Sequence, residues 1–350
     1  MTRLVEGPQC PVPLGTRQTI VLGHGSGGTM TADLLRQIFL PAFANPALDV
    51  LNDQAILETE GIRLAFTTDA FVVSPLFFPG GDIGQLAVHG TINDLAMCGA
   101  TPLALAAAFI LEEGLATETL QQVVTSMARA CENSGVSLVT GDTKVVEKGK
   151  GDGLFITTSG IGVVTQATTI SCDRAQAGDV VIINGPVGDH GIAVLSAREG
   201  LEFETTVQSD TAPLHTLVQA MIEATLHVHC LRDPTRGGVA TVLNEIATAS
   251  HVGMVIEETA IPVRPAVQAA CDLLGLDPLH CACEGRVVAI VGESEASTVL
   301  NRMRTHPLGR DAAIVGRVVP EHPNTVLLRT SLGSTRLLFP LAGAQLPRIC

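Results

Sequence analysis

The chain has no tryptophan and no tyrosine, and only 10 phenylalanines in 350 residues. Platforms that stack single-stranded bases are built from such rings, so that class of binder is disfavoured. Positive charge is also scarce: 21 Lys and Arg face 35 Asp and Glu, for a formal net charge of −14. That field repels polyanions, and no nucleic acid is expected as a partner. An anionic phosphate bound here needs positive charge from another source, and a divalent metal held by carboxylates would supply it. Long apolar runs are missing too. The longest, LALAAAFIL from Leu103, is too short to span a membrane. The opening MTRLVEGPQCPVPLGTRQ lacks the apolar segment of a signal peptide. The expectation is a cytoplasmic protein without membrane contact. Its 9 cysteines are an odd number, so at least one stays unpaired within the chain. In a reducing cytosol the default is free, mostly buried thiols. Cys350 is the expected exception, because chain ends are rarely buried.

What remains is apolar and rich in glycine, with 46% hydrophobic residues and 35 glycines. The length suggests about two domains, at roughly 150 residues each. IRLAFTTDAFVV from Ile62 reads as a strand, by its β-branched and apolar content. Asp82 is a plausible N-cap, and Ile83, Leu86, Ala87 and Leu95 recur at helical spacing up to a stop at Gly99. ETLQQVVTSMARACENSG is a second amphipathic helix. VSLVTGDTKVV reads as a strand entering a polar turn, and GLFITTSGIGVV as another strand. Near residue 170 a second α/β unit opens, with a strand, a glycine turn and a helix in DVVIINGPVGDHGIAVLSAREG. The helix GGVATVLNEIATAS and the strand RVVAIVG continue it. The residues from about Leu341 show no period and read as an unpacked tail.

Several motifs carry chemistry. GHGSGG, Gly23 to Gly28, is either a flexible turn or a loop whose N–H groups approach an anion at a helix start. No G-x-x-x-x-G-K-[ST] phosphate loop occurs. GPVGDHG, Gly185 to Gly191, has the wrong spacing for a dinucleotide fingerprint and reads as a tight turn. Asp53, Asp69, Asp94 and Asp142 sit at expected strand ends and turns, three of them in apolar stretches. Capping explains any one of them. A Mg²⁺ site bridging phosphate oxygens explains the set. Lys144 is either a phosphate contact or a surface lysine. Asp82, His89 and Asn93 fall on nearly one helix face. DPTRGGVATVLNEI from Asp233 is a turn before a helix, with Arg236 as a possible anion contact. HCACEGRVV places Glu284 among apolar and thiol neighbours, where a raised pKa would suit a base. Its Cys281 and Cys283, like His227, His229 and Cys230, lack zinc-ribbon spacing.

GHGSGG, TTDAFVVSPLFFPGGDIGQLAVHGTINDLAMCGATP, VTGDTKVV, DPTRGGVATVLNEI and the terminal PRIC together resemble the HypE family of hydrogenase maturation factors. The resemblance covers essentially the whole chain, and PRIC is its most specific element. The other motifs are shared in part with aminoimidazole ribonucleotide synthetase, selenophosphate synthetase and thiamine-monophosphate kinase. The fold this implies has two domains, α/β and α+β, of the aminoimidazole ribonucleotide synthetase-like type. Residues 1–170 would form an ATP-binding and dimerisation domain whose strands build a β-barrel across a homodimer. Residues 171–340 would form an α+β domain, and 341–350 a mobile tail.

The implied activity is ATP-dependent dehydration of an S-carbamoyl group on Cys350 to a thiocyanate, the source of the cyanide ligands of [NiFe] hydrogenase. A HypF-like carbamoyltransferase would load Cys350, and a HypC–HypD complex would receive the cyano group. The cofactors implied are ATP and Mg²⁺. Matched to the family motifs, Asp53, Asp69, Asp94 and Asp142 become ligands of Mg²⁺–ATP. Gly27, Gly28 and Asn93 join the nucleotide site, Lys144 stabilises charge, and Glu284 is the candidate base. Cys283 stands where the family pattern leads one to expect asparagine, and His89 is also unexpected. About ten tail residues would reach about 33–36 Å at full stretch, with Pro347 opposing helix formation and Arg348 offering a docking charge. The alternatives are a related synthetase or kinase acting on a free small molecule, and a non-catalytic thiol or metal carrier.

Overall fold

Alternation of buried and half-buried residues along Leu154–Val164 is the mark of a strand covered closely on one face. That strand is the centre of the first of two large sheets. The computed structural model describes residues 19–167, 169–201, 207–343, 345–346 and 348–350. Helix α1 (Gly28–Leu34) runs through a π turn, Leu35–Phe39, into α2 (Leu40–Phe43). Strands β1 (Ala55–Thr59) and β2 (Ile62–Phe71) form a hairpin, and a small ribbon, β3 (Phe77–Phe78) and β4 (Gly81–Asp82), leads into α3 (Ile83–Ala96). Asp82 is the N-cap, accepting from the N–H groups of Gly84 and Gln85. Then come β5 (Thr101–Glu112), α4 (Thr117–Ser134), β6 (Ser137–Val146) and β7 (Leu154–Val164). Gly135 ends α4 in the left-handed region, at φ 67°.

The strand order is β1-β2-β7-β5-β6, with only β5 and β6 parallel. The inner face of this sheet packs on α3 and α4 through Phe71, Leu86, Ile92, Leu105, Val123, Met127 and Ile156. The apolar run at Leu103 is thus a strand interior rather than a membrane segment. Among the described residues no helix is long and apolar enough to cross a membrane.

The second sheet comes from β8 (Val180–Ile183), β9 (Val228–Arg232), β10 (Gly253–Glu257), β11 (Val288–Val291), β12 (Ala313–Val319), β13 (Thr325–Arg329) and β14 (Thr335–Leu337). Its order is β14-β13-β10-β12-β8-β11-β9. Five helices accompany it: α5 (Asp189–Glu199), α6 (His215–Ala224), α7 (Gly238–Ala249), α8 (Pro265–Leu274) and α9 (Ala296–Thr305). Successive strand residues point to opposite faces. Val181 and Ile183 therefore pack with α7, while Ile182 packs with α6 and α9.

The last residues do not form an unpacked tail. Val72 N donates to Cys350 O at 3.0 Å, and Ser74 N to Arg348 O at 3.3 Å. Ile349 and Cys350 fill the core cluster that also holds Phe71, Val73 and Phe78. Backbone pairing thus satisfies the carbonyls of Arg348 and Cys350. Pro347 lies outside the described residues.

Candidate active site

Three carboxylates meet between elements of the two sheets' domains. Asp53 precedes β1, Asp94 lies in the last turn of α3, and Asp233 follows β9. One oxygen from each lies within 4.8 Å of the others. Thr67, on the inner face of β2, ties two of these elements together. Its hydroxyl lies 2.8 Å from Asp94 Oδ2 and 2.9 Å from Asp53 O. Arg232 Nε is 3.0 Å from Asp53 Oδ1, an ion pair rather than an aligned hydrogen bond. Asp53 Oδ2 is buried without a hydrogen-bond partner.

Burial and mutual repulsion make these groups resist ionisation. Burial is the main cause of Asp53 being pushed up to about 8, against the pull of Arg232. Burial likewise pushes Asp233 up to about 6. Asp94 is raised well above the usual carboxylate range, by burial and then by Asp233, Asp69 and Asp53. Asp69, also on the inner face of β2, is raised by burial and opposed by Arg236. A buried set of oxygen donors, one of them unpartnered, suits a hard divalent cation.

Cys350 comes into this site. Its residue is 8% exposed, and burial pushes its thiol far up. Arg236 is the strongest opposing charge felt there, followed in size by the raising effects of Glu284, Asp69 and Asp233. The expectation of an exposed terminal cysteine therefore fails for this conformation. Glu284 is 2% exposed, and its Oε1 has no hydrogen-bond partner. Burial, then Asp233, Asp210 and Asp69, hold its carboxyl well above the usual range. Its backbone N–H donates to Asp210 Oδ1 at 3.1 Å.

Asn93 does not point a free amide at a nucleotide. Its Nδ2 donates to Ala212 O at 3.1 Å and to Glu284 O at 3.2 Å, and its Oδ1 accepts from Leu214 N at 2.8 Å. Asn93 thus clamps residues 212–214 and the chain at Glu284 onto α3. His89, one turn earlier, is 3.1 Å from Thr211 Oγ1 through Nδ1. Burial, with His215 nearby, pushes it down to about 4, so it is neutral and packed.

Asp142 and Lys144 are not brought to the cluster within one chain. Across the sheet Asp142 lies level with Ala108, Thr157 and Ala70. Strand alternation puts these on the face opposite Thr67 and Asp69. Asp142 is mid-strand in β6 rather than in a turn, and it pairs with Lys144 at 2.7 Å, both exposed. The period-2 rule decides this, but the sequence alone does not show where β6 begins.

Gly27 and Gly28 do border the site, with φ of +76° and +75°. A Cβ on Gly27 would stand 2.6 Å from Arg236 O, and one on Gly28 would collide with Leu341 O. Thr29 N donates to Leu341 O at 2.9 Å. The glycine pair thus lets the DPTRGG turn and the start of the terminal segment approach closely. Sequence reasoning missed Asp233 and Asp210 as site carboxylates. The signal for Asp233 was its place directly between a strand and the Gly237–Gly238 helix start.

Comparison with known proteins fits this arrangement. Residues 51–164 match the N-terminal domain, and residues 176–329 the C-terminal domain, of AIR synthase related proteins. Carbamoyl dehydratase HypE of Cupriavidus necator is 54% identical over 95% of this chain and 95% of its own. The chain belongs to the HypE family. Among solved structures, HypE in complex with ATP is 47% identical, with a TM-score of 0.81, covering 95% of this chain and 100% of its own. HypE in a HypE–HypF complex is also 47% identical, with a TM-score of 0.84, over 88% and 99%. This is the two-domain mixed α/β fold that the motifs implied.

Proposed function

We propose that the chain is an ATP-dependent carbamoyl dehydratase of hydrogenase maturation whose substrate group is carried on its own Cys350. The observation that carries this reading is the burial of Cys350 beside Glu284 and Arg236, at the edge of the Asp53–Asp94–Asp233 cluster.

The chemistry runs in two halves. The carbamoyl oxygen attacks the γ-phosphorus of ATP, ADP leaves, and one N–H proton is lost. Loss of the second N–H proton, with departure of phosphate, leaves S–C≡N on Cys350. The net change is removal of water, with no oxidation or reduction. Glu284 is the base. Its buried Oε1 has no hydrogen-bond partner, and after Arg236 its charge is the next largest felt at the Cys350 thiol, so it would take the proton of a group on Sγ. Arg236 offsets the negative charge that develops on the carbamoyl and phosphoryl oxygens. Asp53, Asp94 and Asp233, with Asp69 beside them, would hold Mg²⁺, which supplies the charge that brings ATP to a chain of net charge −14.

The docked thiol is neutral, and a thiolate is the nucleophile that accepts a carbamoyl group. Loading by a HypF-like partner therefore uses the undocked segment, and dehydration uses the docked one. The same exchange delivers the cyano group to a HypC–HypD acceptor. A homodimer supplies what one chain lacks. The outer sheet face exposes Ile62, Phe66 and Ile110, and β6 is exposed from Ser137 to Lys144. A second copy closing a barrel there would bury them together with Asp142 and Lys144. Use of ATP and the unpaired state of every described cysteine fit the cytoplasm.

ATP turnover tests the reading. With carbamoyl phosphate and a HypF-like enzyme, ADP should form in amounts that depend on Cys350. Undiminished turnover by Cys350→Ala would instead favour a kinase or synthetase acting on a free small molecule.

A further inference from the structure

The turn GPVGDHG supplies one residue that the reaction above does not use. His190, at the start of α5, is fully buried. Its Nε2 is 2.8 Å from Ile349 O, and its Nδ1 is 2.8 Å from Ser209 Oγ. A carbonyl oxygen can only accept, so Nε2 carries the hydrogen. Nδ1 then accepts from the Ser209 hydroxyl, and Ser209 Oγ accepts from Thr211 N at 3.1 Å. Ser209 N in turn donates to Pro79 O at 2.8 Å. Every partner has one role, so the ring is held in a single tautomer. The edge of the aromatic pair with Phe78, at 5.4 Å and 89°, fixes its plane.

This bond falls on the one carbonyl that the backbone pairing leaves over. Arg348 and Cys350 offer their carbonyls to Ser74 N and Val72 N. Arg348 turns through the left-handed region at φ 54°, and the Ile349 carbonyl between the two paired ones meets His190. Pairing along Val72–Ser74 alone does not set a register. A slip of one residue would turn the Cys350 side chain to the opposite face. Arg198 also grips this segment, donating to Ser74 O at 2.8 Å and to Arg348 O at 2.6 Å. It holds the strand-like pair together, whereas His190 alone holds Ile349 O among the described residues.

We propose that His190 is a positioning residue for the terminal thiol, fixing through the Ile349 carbonyl the register that turns Cys350 Sγ toward Glu284 and Arg236. The proposal rests on the reading that the docked segment is the reacting state. Because the bond is made to backbone, it serves equally whether sulfur carries hydrogen, a carbamoyl group or a cyano group.

The test measures iodoacetamide labelling of Cys350 in the full-length ATP-free protein by peptide mass spectrometry, with buried Cys131 as the fold control. Labelling follows the population of the undocked state. His190→Ala should label Cys350 about tenfold faster than wild type, the equivalent of about 1.4 kcal/mol, with Cys131 unchanged. His190→Gln, whose amide nitrogen mimics Nε2, should restore most of the protection. Ser209→Ala should give a smaller acceleration. On carbamoyl-loaded protein His190→Ala should slow dehydration with no change in ATP affinity. Equal labelling of Cys350 in wild type and His190→Ala overturns the proposal. If Cys131 of His190→Ala also labels fast, Ser209→Ala decides, and its equality with wild type overturns the proposal. Failure of wild type to dehydrate its carbamoyl group would overturn the functional reading, while the labelling results still judge His190.

Discussion

Glu284 and the aspartates are buried acids with opposite needs. In the proposed role Glu284 takes a proton, so its amide analogue should fail at that step alone. Glu284→Gln is expected to slow dehydration at least 100-fold, within the ~10²–10⁴ range of general bases, while ATP binding and carbamoyl loading persist. Single-turnover mass spectrometry of loaded protein checks this, and wild-type rates would remove Glu284 from the base role. In the proposed role the aspartates hold a cation. Asp53 is raised to about 8 and Asp233 to about 6, chiefly by burial. A raised folded-state pKa means that the metal-free protein keeps its protons. Its stability from these groups is fully present below the ordinary carboxylate range and falls as pH rises toward 8. Mg²⁺ competes with those protons, so its stabilising effect should grow from pH 6 to pH 8. Thermal unfolding with and without MgCl₂ at both values checks the sign. A shift equal at both, or larger at pH 6, would contradict a cation site made of these acids. At this scale the sequence showed the residue types but not their partners. Asp53, Asp69 and Asp94 were legible because carboxylates in apolar stretches need a reason. Asp233 was hidden inside a turn motif that also reads as plain punctuation.

At the scale of elements, α3 carries the site. Its first turn is capped by Asp82, and its last turn presents Asp94. Near its end Asn93 bonds three backbone groups, and two of them, Ala212 O and Leu214 N, would lose their partner without it, since Glu284 O also accepts from Ala212 N. Asn93→Ala should cost about 2–4 kcal/mol, because each orphaned buried group costs ~1–3 kcal/mol. An earlier urea transition is the expected result, and an unchanged midpoint would show that water replaces the amide. Strand and helix periods made most of these elements readable, from β2 to α4 and from β8 to α7. The placement of Asp142 in strand rather than turn follows from the same period. A strand was expected to end at a polar turn, but GDTK continues β6, and alternation then sends Asp142 and Lys144 to the outer face. A run such as VTGDTKVV does not reveal whether its polar centre is a turn or an exposed strand, since both tolerate glycine and charge.

The whole molecule brings the terminal segment against the first domain. Gly28 meets Leu341, Val72 meets Cys350, and the charge of Glu284 from the second domain is felt at Cys350. None of these approaches is local in sequence, so no spacing rule could have placed the terminal cysteine inside. PRIC alone suggests a reaching arm, whereas the structure has Ile349 and Cys350 buried. The decisive measurement is the intact mass of chain already carbamoylated on Cys350, followed after addition of ATP. The mass should fall by one water, the loss should map to Cys350, and ADP should form in equal amount. A carbamoyl group that stays on sulfur, or leaves as a whole, would contradict dehydration at this site.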